Sequence, residues 1–172
     1  GTFLAVLIVF RQDLYQMILA LYNEFTLRLK GNDLRRDTHQ NSIKLMTFII
    51  VGSIPTGLIG LGLKHAEHLF SSLPLVGVML LITGIILWAT RRLDAGGSLT
   101  DFTWPKAVGI GIVQGLAVLP GVSRSGTTIA AGLFFGLERS TAARFSFLLS
   151  IPAIIGAELL SAGDLLDGTV KL

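Results

Sequence analysis

Two apolar segments too short to cross a membrane, joined by nine residues of a different character, restrict this chain more than any other feature. The nine are Pro120-Gly121-Val122-Ser123-Arg124-Ser125-Gly126-Thr127-Thr128. Apolar residues run up to them from Ile110 to Leu119 and away from them from Ile129 to Leu137. A spanning helix needs roughly 20 apolar residues for about 30 Å of hydrocarbon. At about 1.5 Å per residue the second flank covers less than half of that. The pattern predicts two half-helices meeting at a polar tip inside the membrane. An arginine at that depth costs about 2.5–3.5 kcal/mol on insertion scales, and such residues are usually functional. Non-helical backbone there is tolerated only against protein or a water-filled cavity. The tip offers a fixed cation, the hydroxyls of Ser123, Ser125, Thr127 and Thr128, and the free N–H groups of a helix expected to start near Thr127. These are the parts of an oxyanion site.

The composition agrees with a membrane protein. Of 172 residues 51% are hydrophobic and 15% charged, against about 25% charged in soluble domains. The long apolar runs have helical length and none alternates like a barrel strand. The fold class expected is therefore an all-α, multi-pass helical bundle, with residues 1–172 as one membrane domain and 105–137 as a re-entrant hairpin. The absence of cysteine excludes disulfides and thiolate chemistry. A net charge of +3 gives no reason to invoke nucleic acid, because the basic residues sit in loops, as topology alone would require.

Gly1–Phe10 is an apolar run worth half a membrane and lacks the basic start of a signal peptide. It reads as the second half of a helix, so both ends of the chain look cut. Leu14, Met17, Ile18, Leu21, Tyr22 and Phe25 then share a helical face, and Lys30 to Asn41 reads as a polar loop. Spanning helices are expected over about Ser42–Leu63, kinked at Pro55, and Leu75–Thr90, with Trp88 at the interface. Gly57, Gly60 and Gly62 should admit a close helix neighbour. Lys64–Pro74 and Arg91–Thr103 read as loops. Trp104-Pro105 should open the first half-helix. Gly136–Ser140 should turn the chain, and Ser140 or Thr141 should cap a last helix, about Ala142–Ala162, containing Pro152. Gly163–Leu172 reads as a polar tail.

Charge tests the hairpin. Segment 11–44 holds six basic residues, 64–74 holds only Lys64, and 91–106 holds Arg91, Arg92 and Lys106. Alternation puts the first and third inside the cell. The 138–144 segment, with Arg139 and Arg144, should be inside as well. It shares a side with 91–106 only if 105–137 goes in and comes back. Two full crossings would satisfy charge but not length.

The tip is not a nucleotide P-loop, which needs a lysine and a preceding strand. Gly109, Gly111 and Gly115 miss the dinucleotide spacing and read as helix-packing positions. His65, Glu67 and His68 lack a fourth ligand and read as solvated loop residues, as does His39. Gln114, an amide inside an apolar helix, needs a partner, either in the hairpin or in a ligand. Glu158 sits near an outer helix end, where an interfacial role fits better than catalysis.

Three stretches carry a resemblance: Gln114-Gly115-Leu116-Ala117, the tip Pro120–Thr128, and Ala143-Arg144-Phe145-Ser146-Phe147-Leu148-Leu149-Ser150-Ile151-Pro152. Together with Ile54-Pro55-Thr56-Gly57, they make the chain similar to the bacterial undecaprenyl-diphosphate phosphatases, the bacitracin-resistance family. The resemblance covers nearly the whole chain. It implies removal of the terminal phosphate from a C55 isoprenoid diphosphate, recycling the lipid carrier for cell-wall sugars in the bacterial plasma membrane. It also implies an inverted-repeat helical bundle and a divalent cation, magnesium or calcium. It gives Arg124 the diphosphate, with Ser123, Ser125 and Thr128 lining the pocket. Gly126, Thr127 and Gln114 complete the expected substrate-binding set, and Ser123 joins Arg124 as a catalytic candidate. The family's glutamate-rich first motif has no counterpart here and would precede Gly1. Its metal-associated acids, and its nucleophile or base, are then expected outside these residues, and the 172 residues alone are expected to be inactive.

Phosphoric anhydride hydrolysis depends on neutralising charge around the phosphoryl oxygens. Arg124 can grip two of them with its planar fork. A transporter of an anionic or lipid-linked substrate is the rival from another class, since half-helices with polar tips also bind transported ligands.

Overall fold

The computed structural model describes residues 2–27, 36–64, 73–93 and 96–166. These residues form α1 (Thr2–Val9), α2 (Arg11–Leu27), α3 (Arg36–Lys64), α4 (Leu73–Thr90), a 3-10 turn at Leu99–Asp101, α5 (Trp104–Leu116), α6 (Arg124–Phe134) and α7 (Arg139–Leu166). Among the described residues, three helical stretches are long and apolar enough to cross a membrane: Asn41–Leu63, Leu73–Thr90 and Arg139–Gly163. The all-α membrane fold is as expected.

Several boundaries differ from the sequence reading. Helix α3 begins at Arg36, so the second half of the predicted polar loop is helical. Leu73 and Pro74 belong to α4; proline suits a first turn, where its missing N–H costs nothing. His65, Glu67 and His68 lie outside the described residues. Helix α7 starts at Arg139 rather than Ala142 and runs on to Leu166. Ser140 and Thr141 do not cap it: their hydroxyls donate to the Glu138 carboxylate at 2.7 and 2.8 Å, while the Glu138 carbonyl accepts the first helical bond, from Ala142 N–H. Phe10 joins α1 to α2 through bonds to Val6 and from Leu14, so α2 continues α1. Ile18 is off the predicted apolar face, being 64% exposed where Met17 is buried.

Helix α5 forms as its sequence dictates, with Thr103 at the N-cap and Pro105 in the first turn. Its glycines set how it packs. A Cβ on Gly111 would collide with the Gly52 carbonyl of α3, and one on Gly115 with Ile59. Among the described residues, the close approach expected at Gly57, Gly60 and Gly62 is not there: none comes within 4 Å of a Cβ at any of the three. Backbone contact falls one turn earlier because Gly52 is the α3 glycine that faces α5. The Thr56 hydroxyl reinforces it, 2.9 Å from Gly52 O and 2.8 Å from Gly111 O.

Pro55 and Pro152 lie inside α3 and α7. Each is the end of the same tripeptide, Ser53-Ile54-Pro55 and Ser150-Ile151-Pro152. A proline withholds an N–H from the preceding turn. In α7 that turn is where Gln114 Nε2 donates to Leu149 O at 3.1 Å. Around these contacts lies the core, in which Phe102 sits between Phe48 of α3 and Phe145 of α7 with ring centroids 4.8 and 4.6 Å away.

The basic segments converge on one end of the bundle. Gly97 and Leu137 form a single bridge, and Glu138 N–H donates to Gly97 O at 2.7 Å. The chain leaving α6 therefore lies beside the loop that leads into α5. Arg139 Nη2 lies 3.3 Å from the Thr90 and Leu93 carbonyls, against the last turn of α4. Lys44 Nζ donates to Thr100 O at 3.0 Å, and Asp13 pairs with Arg144. Among the described residues, Asp13, Lys44, Arg91, Thr100, Arg139 and Arg144 thus meet at the same end.

Candidate anion-binding site

The tip is built by a turn pressed against α4. Gly121 has φ +86°, open to glycine at no steric cost, and a Cβ there would collide with Val76 O. Ser123 N–H donates to the Thr83 hydroxyl at 3.4 Å. Val76 and Thr83 lie 14 and 7 residues before Thr90. At about 1.5 Å rise per residue, the turn spans depths of about 10 to 21 Å from the basic end. At the far end of α6 the chain closes with a Schellman arrangement: Leu137 N–H to Gly132 O and Gly136 N–H to Leu133 O, both 3.0 Å, with Gly136 at φ +81°.

Helix α6 starts at Arg124, three residues before the expected Thr127. The reason is Ser123, which takes extended backbone and accepts Gly126 N–H on its side chain at 3.3 Å, as an N-cap does. Of the first three N–H groups, which helix geometry leaves without intrahelical acceptors, that of Gly126 is therefore capped. Those of Arg124 and Ser125 remain at the helix N-terminus, where the dipole favours negative charge. No hydrogen bond or ion pair engages the half-buried Arg124 guanidinium among the described residues. Ser123 and Ser125 are exposed beside it.

The other candidates point elsewhere. The Thr127 hydroxyl turns back to Ser123 O at 2.8 Å and Arg124 O at 3.2 Å. Thr128 is 1% exposed, with its hydroxyl 2.7 Å from Arg124 O and in contact with Ser146 of α7. Gln114 is 1% exposed and spends its amide N–H on α7, not on the hairpin; its Oε1 is buried without a partner among the described residues. Glu158 is exposed on α7. The structure thus gathers Ser123, Arg124, Ser125 and Gly126 at the tip and places Thr127, Thr128 and Gln114 behind it. Sequence reasoning missed Thr83 and Ser146. The signal available was one of type: each is a hydroxyl residue buried in an otherwise apolar spanning helix.

The tip's donors are N–H, O–H and guanidinium groups, which suit an anion and disfavour a cation. Among the described residues no three His, Asp or Glu side chains converge on a metal position. The residues described do not fit the divalent cation that the resemblance implies. An apolar cavity of about 380 Å³ between α2, α3 and α7, lined by Leu14, Met17, Ile49, Leu148 and Pro152 among others, offers no charged group to a phosphate.

Comparison with known proteins adds an independent finding. Residues 1–171 match the family described as Bacitracin resistance protein BacA. The chain belongs to the BacA family. Among curated relatives, the undecaprenyl-diphosphatase of Desulfosudis oleivorans is 58% identical over the whole chain, which covers 63% of that protein. The undecaprenyl-diphosphatase of Desulforapulum autotrophicum is 50% identical over 94% of the chain and 59% of its own length. That of Methanosphaera stadtmanae is 43% identical over 96% and 61%. The chain spans about three-fifths of the length of these BacA-family relatives.

Proposed function

We propose that the full-length protein containing this chain hydrolyses undecaprenyl diphosphate to undecaprenyl phosphate and inorganic phosphate. One observation carries the reading beyond family membership: among the described residues Arg124 is unpaired, and it stands at the N-terminus of α6, on a hairpin whose tip lies level with the middle of α4. The diphosphate of a lipid anchored in the bilayer reaches that level only through a cavity within the protein. There Arg124 holds two phosphoryl oxygens through its fork. The Arg124 and Ser125 N–H groups and the Ser123 and Ser125 hydroxyls donate to the remaining oxygens, where charge builds as the anhydride breaks. These residues bind and orient. The attacking group, its base and any divalent cation belong to the part of the protein outside this chain. In this proposal the protein sits in the plasma membrane with its basic end in the cytoplasm.

The test is release of inorganic phosphate from undecaprenyl diphosphate by the purified full-length protein in detergent with added magnesium or calcium. Stoichiometric release is expected. Binding or transbilayer movement of the lipid without release would overturn the phosphatase reading and favour transport.

A further inference from the structure

The contact between Thr128 on α6 and Ser146 on α7 connects the tip to a residue that cannot touch a ligand. Ser146 is 2% and Thr128 1% exposed, and their hydroxyl oxygens are in hydrogen-bond contact. Buried hydroxyls are costly unless their hydrogen bonds are made. Each has one proton to give. Thr128 Oγ1 lies 2.7 Å from Arg124 O and 3.2 Å from Ser125 O. Ser146 has Thr128 as its hydrogen-bond partner. The arrangement that uses both protons has Ser146 donating to Thr128, and Thr128 donating to the Arg124 carbonyl.

That carbonyl belongs to the same planar peptide unit as the Ser125 N–H. Ser125 N–H is one of the two uncapped donors at the start of α6. Fixing the carbonyl end of the plane aims its N–H end. The Arg124 carbonyl also accepts the regular helical bond from Thr128 N–H, so the hydroxyl is its second donor. Hydrogen bonds in such a chain polarise one another, which makes the Ser125 N–H a stronger donor to an anion. Thr127 repeats the device one residue earlier: its hydroxyl lies 2.8 Å from Ser123 O, in the peptide unit that carries the Arg124 N–H.

We infer that Ser146 is a positioning residue: acting through Thr128, it aims and polarises the Arg124–Ser125 peptide so that the Ser125 N–H meets a phosphoryl oxygen. The inference rests on the phosphatase reading above and extends it to α7.

The experiment compares kcat, KM and melting temperature in the full-length protein for wild type, Ser146→Ala, Ser146→Thr, Thr128→Val and the double variant Ser146→Ala/Thr128→Val. Small misplacements of a binding donor cost catalysis far more than their distance implies, so Ser146→Ala should lower kcat roughly tenfold. KM should stay within about twofold, because the donor acts most where charge builds. Ser146→Thr keeps the hydroxyl and should recover most of the loss. In the Thr128→Val background, removing Ser146 should cost less than about twofold, the signature of two residues acting in series. If Ser146→Ala does not fold, Ser146→Cys, a weak donor of similar size, should show the same fall in kcat. Wild-type kcat in Ser146→Ala or Ser146→Cys, or losses that add to that of Thr128→Val, would overturn the inference while leaving the phosphatase reading intact. Absence of phosphate release from the wild type would overturn that reading and the inference with it.

Discussion

The Thr56 hydroxyl of α3 lies 2.8 Å from the Gly111 carbonyl of α5, one turn beyond the point where Gly111 meets the Gly52 backbone with no room for a side chain. This backbone-to-backbone seat fixes where α5 ends, and so where the tip begins. Gly111→Ala puts a methyl group against a carbonyl that cannot move without moving α3. Overpacking of this kind costs typically about 1–3 kcal/mol, at the upper end here because the obstacle is backbone. Thermal or denaturant unfolding in detergent checks it, and an unchanged midpoint would mean that the two helices do not meet there.

Asp13 and Arg144 join α2 to the start of α7, with side chains 21% and 42% exposed. Partial exposure keeps the pair weak, so a double-mutant cycle with Asp13→Asn and Arg144→Gln should give a coupling of about 1 kcal/mol or less. That coupling should shrink at high salt. Zero coupling at low salt would remove this link from the account of the basic end.

The Glu138 carboxyl is held below the usual carboxylate range, first by the Ser140 hydroxyl and then by that of Thr141. A depressed folded-state value contributes stability above the unfolded value, and that contribution is lost as pH falls through the folded one. The stability difference between wild type and Glu138→Gln should therefore persist near neutrality and fade below about pH 4, near the ordinary glutamate range. A difference independent of pH over that range would show that the hydroxyls do not favour the charged form.

Pro105 and Glu138 flank the hairpin, and its end at Leu137 bridges to Gly97 in the loop that leads into α5. Cysteines placed at 105 and 138 of the full-length protein should react with a membrane-impermeant thiol reagent from the same face of the membrane. Labelling from opposite faces would mean that 105–137 crosses.

The two short helices on either side of the tip, α5 and α6, were legible in the sequence because length is additive along a chain: the apolar runs Ile110–Leu119 and Ile129–Leu137 are each too short to span. The packing role of Gly109, Gly111 and Gly115 was legible for a similar reason, since small residues spaced along a helix leave a groove whatever fills it. What fills it was not. Gly57, Gly60 and Gly62 made as good a partner on paper as Gly52, and only the relative register of α3 and α5 separates them. The start of α6 was misplaced because Ser123, Ser125 and Thr127, at alternate positions, are all capable caps. The choice fell to Ser123 when its N–H found Thr83 on α4. Gln114 reads as a partner of either the hairpin or a ligand because a buried amide needs one, and Thr128 reads as a pocket residue through the family resemblance. The sequence does not say that α7 supplies a partner to each, through Leu149 and Ser146.

Most of what is proposed for the site depends on Arg124 acting as a fork and not merely as a positive charge. The direct test is the rate of phosphate release from undecaprenyl diphosphate by full-length protein carrying Arg124→Lys. Lysine keeps the charge and loses the two-point grip. Loss of one such oxyanion contact costs on the order of 10²–10³ in kcat, and a fall of that size is predicted. Turnover close to wild type in Arg124→Lys would contradict the role given to the hairpin tip.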